Sequence, residues 1–160
     1  VKLDVLAIGR LKAGPERDLV TRYSERLRAL GRGIGFDGPR LVECAESPAR
    51  RDVDRKQEAA RALLAEIREG YRVVTFDERG AALDSGQFAA LLGDWRDSGV
   101  AGAAFLIGGA DGLDPVFREK SAKVLAFGTM TLPHQLVRVL VLEQLYRAGT
   151  ILSGHPYHRN

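Results

Sequence analysis

The chain has 160 residues and a mass of 17.5 kDa, with 45% apolar and 28% charged side chains. That supports one domain, residues 1–160, around a real core, and excludes a mainly disordered polymer, two ordinary domains and, with no apolar run near ~20 residues, a membrane-spanning helix. The net charge of +3 is unevenly laid out: nine Lys/Arg face five Asp/Glu in residues 1–40, eleven face fifteen in 41–120, and four face one in 121–160.

In chain order, Lys2–Ile8 reads as a β-rich strand closed by Gly9. In Glu16–Leu30, Leu19, Val20, Tyr23, Leu27 and Leu30 recur at helical spacing with arginines opposite. Gly31–Gly38 holds four glycines and reads as loop. Leu41–Cys44 is a short strand. Cys44 is the only cysteine, which excludes an internal disulfide framework and a Cys-cluster metal site. Together with a start that lacks a signal-peptide cleavage pattern, this predicts a cytoplasmic protein without a metal. A helix begins at Ser47-Pro48 or one turn later and runs to about Glu69, with Gly70 as its cap. Tyr71–Phe76 is a strand. Asp84-Ser85-Gly86-Gln87 has the pattern of a capping box, and Phe88, Leu91, Leu92 and Trp95 give the next helix its buried stripe. Ala103–Ile107 is an unbroken apolar run, as in a strand covered on both faces. Asp114-Pro115 opens a short helix, Lys123–Phe127 is a fifth strand, and Pro133–Arg147 is the last helix. Strands alternating with helices predict an α/β fold with a largely parallel sheet and helices on both faces.

Such sheets bind ligands beyond the carboxyl ends of their strands, so the loops after Phe76, Ile107 and Phe127 are the ones to inspect. Gly108-Gly109-Ala110-Asp111-Gly112 allows close approach of a ligand. It is neither a G-x-G-x-x-G dinucleotide fingerprint nor a P-loop, and it also fits a plain strand-to-helix turn. Gly128-Thr129-Met130-Thr131-Leu132-Pro133 offers main-chain amides and carbonyls that suit an adenine, with Met130 and Leu132 against the ring, or it is a simple connector. The last helix is apolar around most of its circumference, which points to a subunit interface in so small a chain. Glu143 and Arg147 stand four apart in the order that favours a structural ion pair. The end, Ser153-Gly154-His155-Pro156-Tyr157-His158-Arg159-Asn160, joins two imidazoles, a phenol and a guanidinium. Tyr and His stack on unpaired bases and Arg holds phosphate, so the composition suits RNA. Two histidines without a carboxylate or thiolate make a poor metal site.

FLIGGADGL, TMTLPHQLVRVLVLEQLYRA and the terminal HPYHR, with VTFDERG and DSGQFA, resemble the RlmH family (ribosomal large-subunit methyltransferase H) of the SPOUT superfamily, over essentially the whole chain. The resemblance implies an S-adenosylmethionine-dependent enzyme that methylates N3 of a pseudouridine in 23S rRNA, on the assembled ribosome and as a homodimer, with a C-terminal trefoil knot. It implies a cofactor among Phe76, Gly108, Gly109 and Gly128 through Pro133 (Gly128, Thr129, Met130, Thr131, Leu132, Pro133). It puts His155, Tyr157, His158 and Arg159, with His134 and Arg138, on the substrate side, the tail of one subunit completing the pocket of the other. Within it, His158 is the expected proton acceptor, Arg159 the stabiliser of the resulting anion and Tyr157 the positioning group. Asp111 departs from the Glu of many relatives, and the Gly31–Gly38 loop looks particular to this lineage. Two rival readings are a non-catalytic RNA- or ribosome-binding module and an adenine-nucleotide-dependent enzyme.

Overall fold

A computed structural model describes residues 1–160. Five strands, β1 (Lys2–Ile8), β2 (Asp37–Cys44), β3 (Tyr71–Ala81), β4 (Gly102–Ile107) and β5 (Lys123–Leu125), form one sheet in the order β2-β1-β4-β3-β5. Every pairing is parallel. The central strands β1 and β4 are covered on both faces, which is why LDVLAI and GAAFLI are apolar almost without a break. Leu3, Val5, Ala7, Phe105 and Ile107 face α1 (Pro15–Gly31), α3 (Ser85–Asp97) and α5 (His134–Ser153). Leu6, Ile8, Ala104 and Leu106 face α2 (Asp52–Glu66) and the short α4 (Val116–Lys120). The fold class read from the sequence is the one observed. No helix is long and apolar enough to cross a membrane.

Local chemistry explains most element boundaries. Asp84 caps α3 as expected: its carboxylate accepts from the Gln87 amide at 2.7 Å, and the Gln87 side chain accepts from the Asp84 amide at 2.9 Å. The second helix takes the later of its two expected starts and stops at Glu66. Ser47 accepts instead from the Ala49 amide, making a local turn ahead of the helix. β2 begins at Asp37, inside the stretch expected to be loop, because Asp37 and its successors pair with β1. The last helix passes through Gly149 and ends six residues beyond the expected boundary, with Gly154 in the left-handed conformation. Its apolar circumference is covered largely by α1 and α3 of the same subunit, with Val141, Leu142 and Leu145 fully buried. The apolar pattern of α5 is therefore satisfied without a partner, and only Leu136 is strongly exposed on it.

The edge at β5 differs most from the expectation. Leu125 lies opposite both Phe76 and Ala81, so residues 77–80 leave the sheet and rejoin it around one residue of β5. The Ala126 amide bonds to the Ala81 carbonyl at 3.0 Å, which ends β5 two residues earlier than expected. Gly80 makes this crossing possible: a Cβ there would stand 2.6 Å from the Leu125 carbonyl carbon and 2.8 Å from its nitrogen. Both obstacles are backbone and cannot rotate aside. Gly80→Ala is expected to destabilise the fold by roughly 2–3 kcal/mol and to lower the thermal unfolding midpoint by roughly 4–12 °C. Calorimetry on the variant checks this, and an unchanged midpoint would show that the crossing is looser than described.

Candidate active site

A cleft of about 440 Å³ opens beyond the carboxyl ends of β3, β4 and β5. Its wall is built by residues 76–79, 107–113, 125–128 and 130–134, closed by Val137 on α5 and Lys56 on α2. Each loop is held by its own contacts. In the glycine-rich turn the Gly112 amide bonds to the Gly109 carbonyl at 3.0 Å. A Cβ on Gly108 would lie 2.8 Å from the Gly112 carbonyl carbon, so the turn can fold this tightly only without one. Arg55 grips Asp111 with both ends of its guanidinium, at 2.7 and 3.1 Å, and also donates to the carbonyls of Ala49 and Arg50. That grip holds the Asp111 carboxyl below its ordinary range.

The irregular stretch 77–80 inside β3, where its pairing with β5 is interrupted, forms a loop that carries Asp77, whose carboxyl burial would raise but which Arg79, with Arg118 further off, brings below the ordinary value. Thr131 donates to Glu78 at 2.9 Å and so ties this loop to the one after β5. Phe76 and Phe127 stack with ring centres 5.2 Å apart and planes 3° from parallel. Met130 is 82% exposed at the mouth. The wall thus combines glycine-rich turns at 108–112 and 128 with apolar side chains such as Phe76, Ile107, Leu125 and Leu132, and its rim carries both charge signs. A cleft of this size and lining suits a drug-sized ligand held by backbone hydrogen bonds. No group of three or more His, Cys, Asp or Glu side chains is placed to hold a metal ion.

Phe76, Gly108, Gly109, Gly128, Met130, Thr131, Leu132, Pro133 and His134 all line this cleft, while Thr129 does not. Arg138 lies outside it. Its side chain is 5% exposed, and it donates to Glu43 at 2.5 Å and to the carbonyls of Ile8 and Gly9 at 3.2 and 3.1 Å. Glu43 in turn accepts from the Leu11 amide at 2.7 Å. The guanidinium therefore joins α5 to the ends of β1 and β2 from inside. Burial draws its pKa below the usual arginine value, against the pull of Glu43.

The tail is elsewhere. His134 and Arg147 are thirteen residues apart on one helix, or about 20 Å, and the tail packs beside Arg147. Arg147 bonds to Glu143 at 2.6 Å, forming the expected ion pair, and approaches His158 Nδ1 at 3.2 Å. The Tyr157 hydroxyl donates to Glu143 at 2.9 Å, and the Arg147 guanidinium lies 4.7 Å from the Tyr157 ring centre. Burial, then the bond to Glu143, pushes the Tyr157 phenol well above its ordinary pKa, so it stays neutral. The Tyr157 amide bonds to His155, and Arg159 is exposed. Sequence reasoning passed over the rim residues Lys56, Asp77, Glu78, Arg79 and the clamp Arg55. For Asp77, Glu78 and Arg79 the usable signal was their place directly after a strand.

A parallel α/β sheet with a cleft across three neighbouring strand ends has the form of α/β proteins that bind small ligands at that edge. The chain matches the family model described as "Predicted SPOUT methyltransferase" over residues 1–158, and it belongs to that family. It is 56% identical over 159 residues to a protein named ribosomal RNA large subunit methyltransferase H from Rhodopseudomonas palustris (strain BisB5), covering 99% of both chains. A protein of the same name from Agrobacterium fabrum is 52% identical over 159 residues, again covering 99% of both. Among solved structures, a probable methylase family protein from Haemophilus influenzae Rd KW20 shares the fold, with a TM-score of 0.52 and 12% identity, covering 99% of this chain and 70% of that one.

Replacing Arg138 by Ala leaves Glu43 and two buried carbonyls without their donor. The expected cost is about 3 kcal/mol. Chemical denaturation checks it, and a loss below ~0.5 kcal/mol would show that water replaces the guanidinium freely.

Proposed function

We propose that the protein transfers the methyl group of S-adenosylmethionine to N3 of a pseudouridine in 23S rRNA, on the cytoplasmic ribosome and as a homodimer. One observation carries the reading: a cleft formed by three segments, two of them glycine-bearing, lies at neighbouring strand ends, in a chain half-identical from end to end to large-subunit rRNA methyltransferases. The cleft's volume, its apolar floor and its open main-chain groups fit the cofactor. The loops at Gly108–Gly109 and Gly128–Pro133 would hold it, with Phe76, Met130 and Leu132 against the adenine. Bound there, the cofactor offers a methyl group on a sulfonium whose departure leaves a neutral thioether.

The chain's own tasks follow from the acceptor. An imide nitrogen carries a proton at neutral pH, and that proton must leave before or during attack. His158 accepts it, Arg159 stabilises the anion that remains, and Tyr157 orients the ring. Alignment of the nitrogen with the methyl carbon supplies the largest part of the acceleration, up to ~7–11 kcal/mol in favourable cases. His155 and His134 complete the substrate side. In one protomer the tail and the cleft lie at opposite ends of α5, so a tail residue must act on a partner's cleft. That separation supports the dimer. Membership of the SPOUT family supports a C-terminal trefoil knot.

Mixing tests the composite site. Gly108→Val blocks the cofactor turn, and Arg159→Ala disables the tail. Each alone is expected to be inactive, and random re-pairing of the two is expected to restore about a quarter of the wild-type rate, one good site in each mixed dimer. A mixture as dead as its parts would place both groups on one chain's site. Separately, His158→Ala should flatten the rise of single-turnover rate with pH. A profile of unchanged shape would remove the imidazole from the role of base. Titration calorimetry with S-adenosylmethionine, ATP and NAD tests the cofactor directly, and preference for either nucleotide would overturn the reading.

A further inference from the structure

The opposite end of the sheet holds a second depression, of about 360 Å³, lined by Lys2, Arg28, Arg32, Arg40 and Arg68 with Asp4 and Asp37. It lies where β1 and β2 begin and just ahead of β3. The seven residues of β1 separate it from the cleft, a span of about 20 Å or more. We infer that this groove grips the phosphodiester backbone of the ribosomal RNA at a point remote from the nucleotide being methylated. The inference rests on the rRNA reading above.

The groove's charges are arranged rather than scattered. Asp4 is buried, with its side chain 2% exposed, and it pairs with Arg40 at 2.8 Å and Arg68 at 3.8 Å. Arg40 also bonds to Glu66 at 3.1 Å and to the Glu66 carbonyl at 2.9 Å, while its buried Nε has no partner. Arg28 donates to the Pro39 carbonyl at 2.9 Å. Lys2 and Arg32 are exposed and have no carboxylate within bonding distance. Five cations therefore face the carboxylates of Asp4, Glu66 and Asp37. Asp4 and Glu66 are engaged in fixing arginines, and Asp37 at the rim is the one acidic group set against an anion.

Of the apolar lining, Leu3 and Phe36 are both buried beneath the surface. No exposed aromatic face is present on which a base would stack, so recognition there is by charge, which selects phosphate rather than sequence. The cleft does not duplicate this role. Its rim sets Asp77, Glu78 and Asp111 against Lys56 and Arg79, a balance that gives a polyanion little hold. Four of the nine basic residues of 1–40, Lys2, Arg28, Arg32 and Arg40, thus meet at one groove.

The test uses the full-length protein, the double variant Lys2→Glu/Arg32→Glu and ribosomes as the probe. Binding is measured by filter retention across a salt series, with no dependence on methyl transfer. Wild type is expected to bind with an affinity that falls steeply with salt, and the double variant to bind roughly tenfold more weakly, with a log–log salt slope shallower by about 2. A double variant with wild-type affinity and slope overturns the inference, as does a wild type that binds no ribosomes at low salt. A competitor arm uses tripolyphosphate: saturable binding lost in the double variant, with ribosome binding unaltered by the substitutions, would assign the groove to a free anion and overturn the RNA source. Thermal unfolding and calorimetry with S-adenosylmethionine confirm that the variant is folded. They also separate the two readings, since a wild type that ignores the cofactor yet shows the groove-dependent ribosome binding would sink the enzymatic proposal alone.

Discussion

Two stretches of backbone cannot occupy the same space, and at Gly80 and Leu125 they approach so closely that no side chain fits between them. The third strand leaves the sheet after Phe76, passes the single core residue of the fifth strand and rejoins at Ala81. Everything at the carboxyl edge depends on that passage. It projects Asp77, Glu78 and Arg79 outward as one wall of the cleft, and it ends the fifth strand at Leu125, so that residues 126–133 are free to form the other. Thr131 and Glu78 then bond across the gap. A longer, regular fifth strand would pair these segments flat and leave no cleft.

A buried charge does the corresponding work on the inner side. Arg138 is nearly removed from water, which is costly, and its partners recover that cost only because they are fixed carbonyls at the end of the first strand and a carboxylate at the end of the second. An apolar residue would pack there without this penalty. What the guanidinium adds is direction: the start of the last helix, which carries Pro133 and His134 at the cleft, is tied to two strand ends at once. Register of this kind is the best-attested use of a buried ionic group.

The sequence carried the layered architecture openly, because β1 and β4 are apolar on both faces and α3 announces its start with Asp84 and Gln87. It carried the cleft as well, since the rule that parallel sheets bind at their carboxyl ends selects three loops without any knowledge of their shape. It concealed what depends on distant partners. Nothing local distinguishes Gly80 from an ordinary turn glycine until Leu125 lies against it. The last helix, expected to stop at Arg147, runs on through Gly149, whose missing side chain lets Leu30 of α1 pack close. Arg138, four residues after His134, reads as one more basic group facing the pocket. Only the fold reveals that a single helical turn separates the cleft from the core. Asp37 and Gly38 were hidden as strand because β1, not their own composition, recruits them.

The placement of charge bears on how so small a protein can meet a large polyanion. A cleft that holds a positively charged cofactor gains from nearby carboxylates, and this one has three on its rim. The same carboxylates repel phosphate. Cofactor binding and nucleic-acid binding therefore make opposed demands on one surface, and the chain meets them by distance. The cations Lys2, Arg28 and Arg32 stand in the groove at the amino edge of the sheet, and the exposed Arg159 lies on a tail held at the far end of the last helix. Screening at physiological salt acts over about 8 Å, so groups about 20 Å apart contribute almost independently. Affinity for RNA and affinity for cofactor can then be set by different residues, while the bonded network of Glu143, Arg147 and Tyr157 holds the tail in a fixed shape.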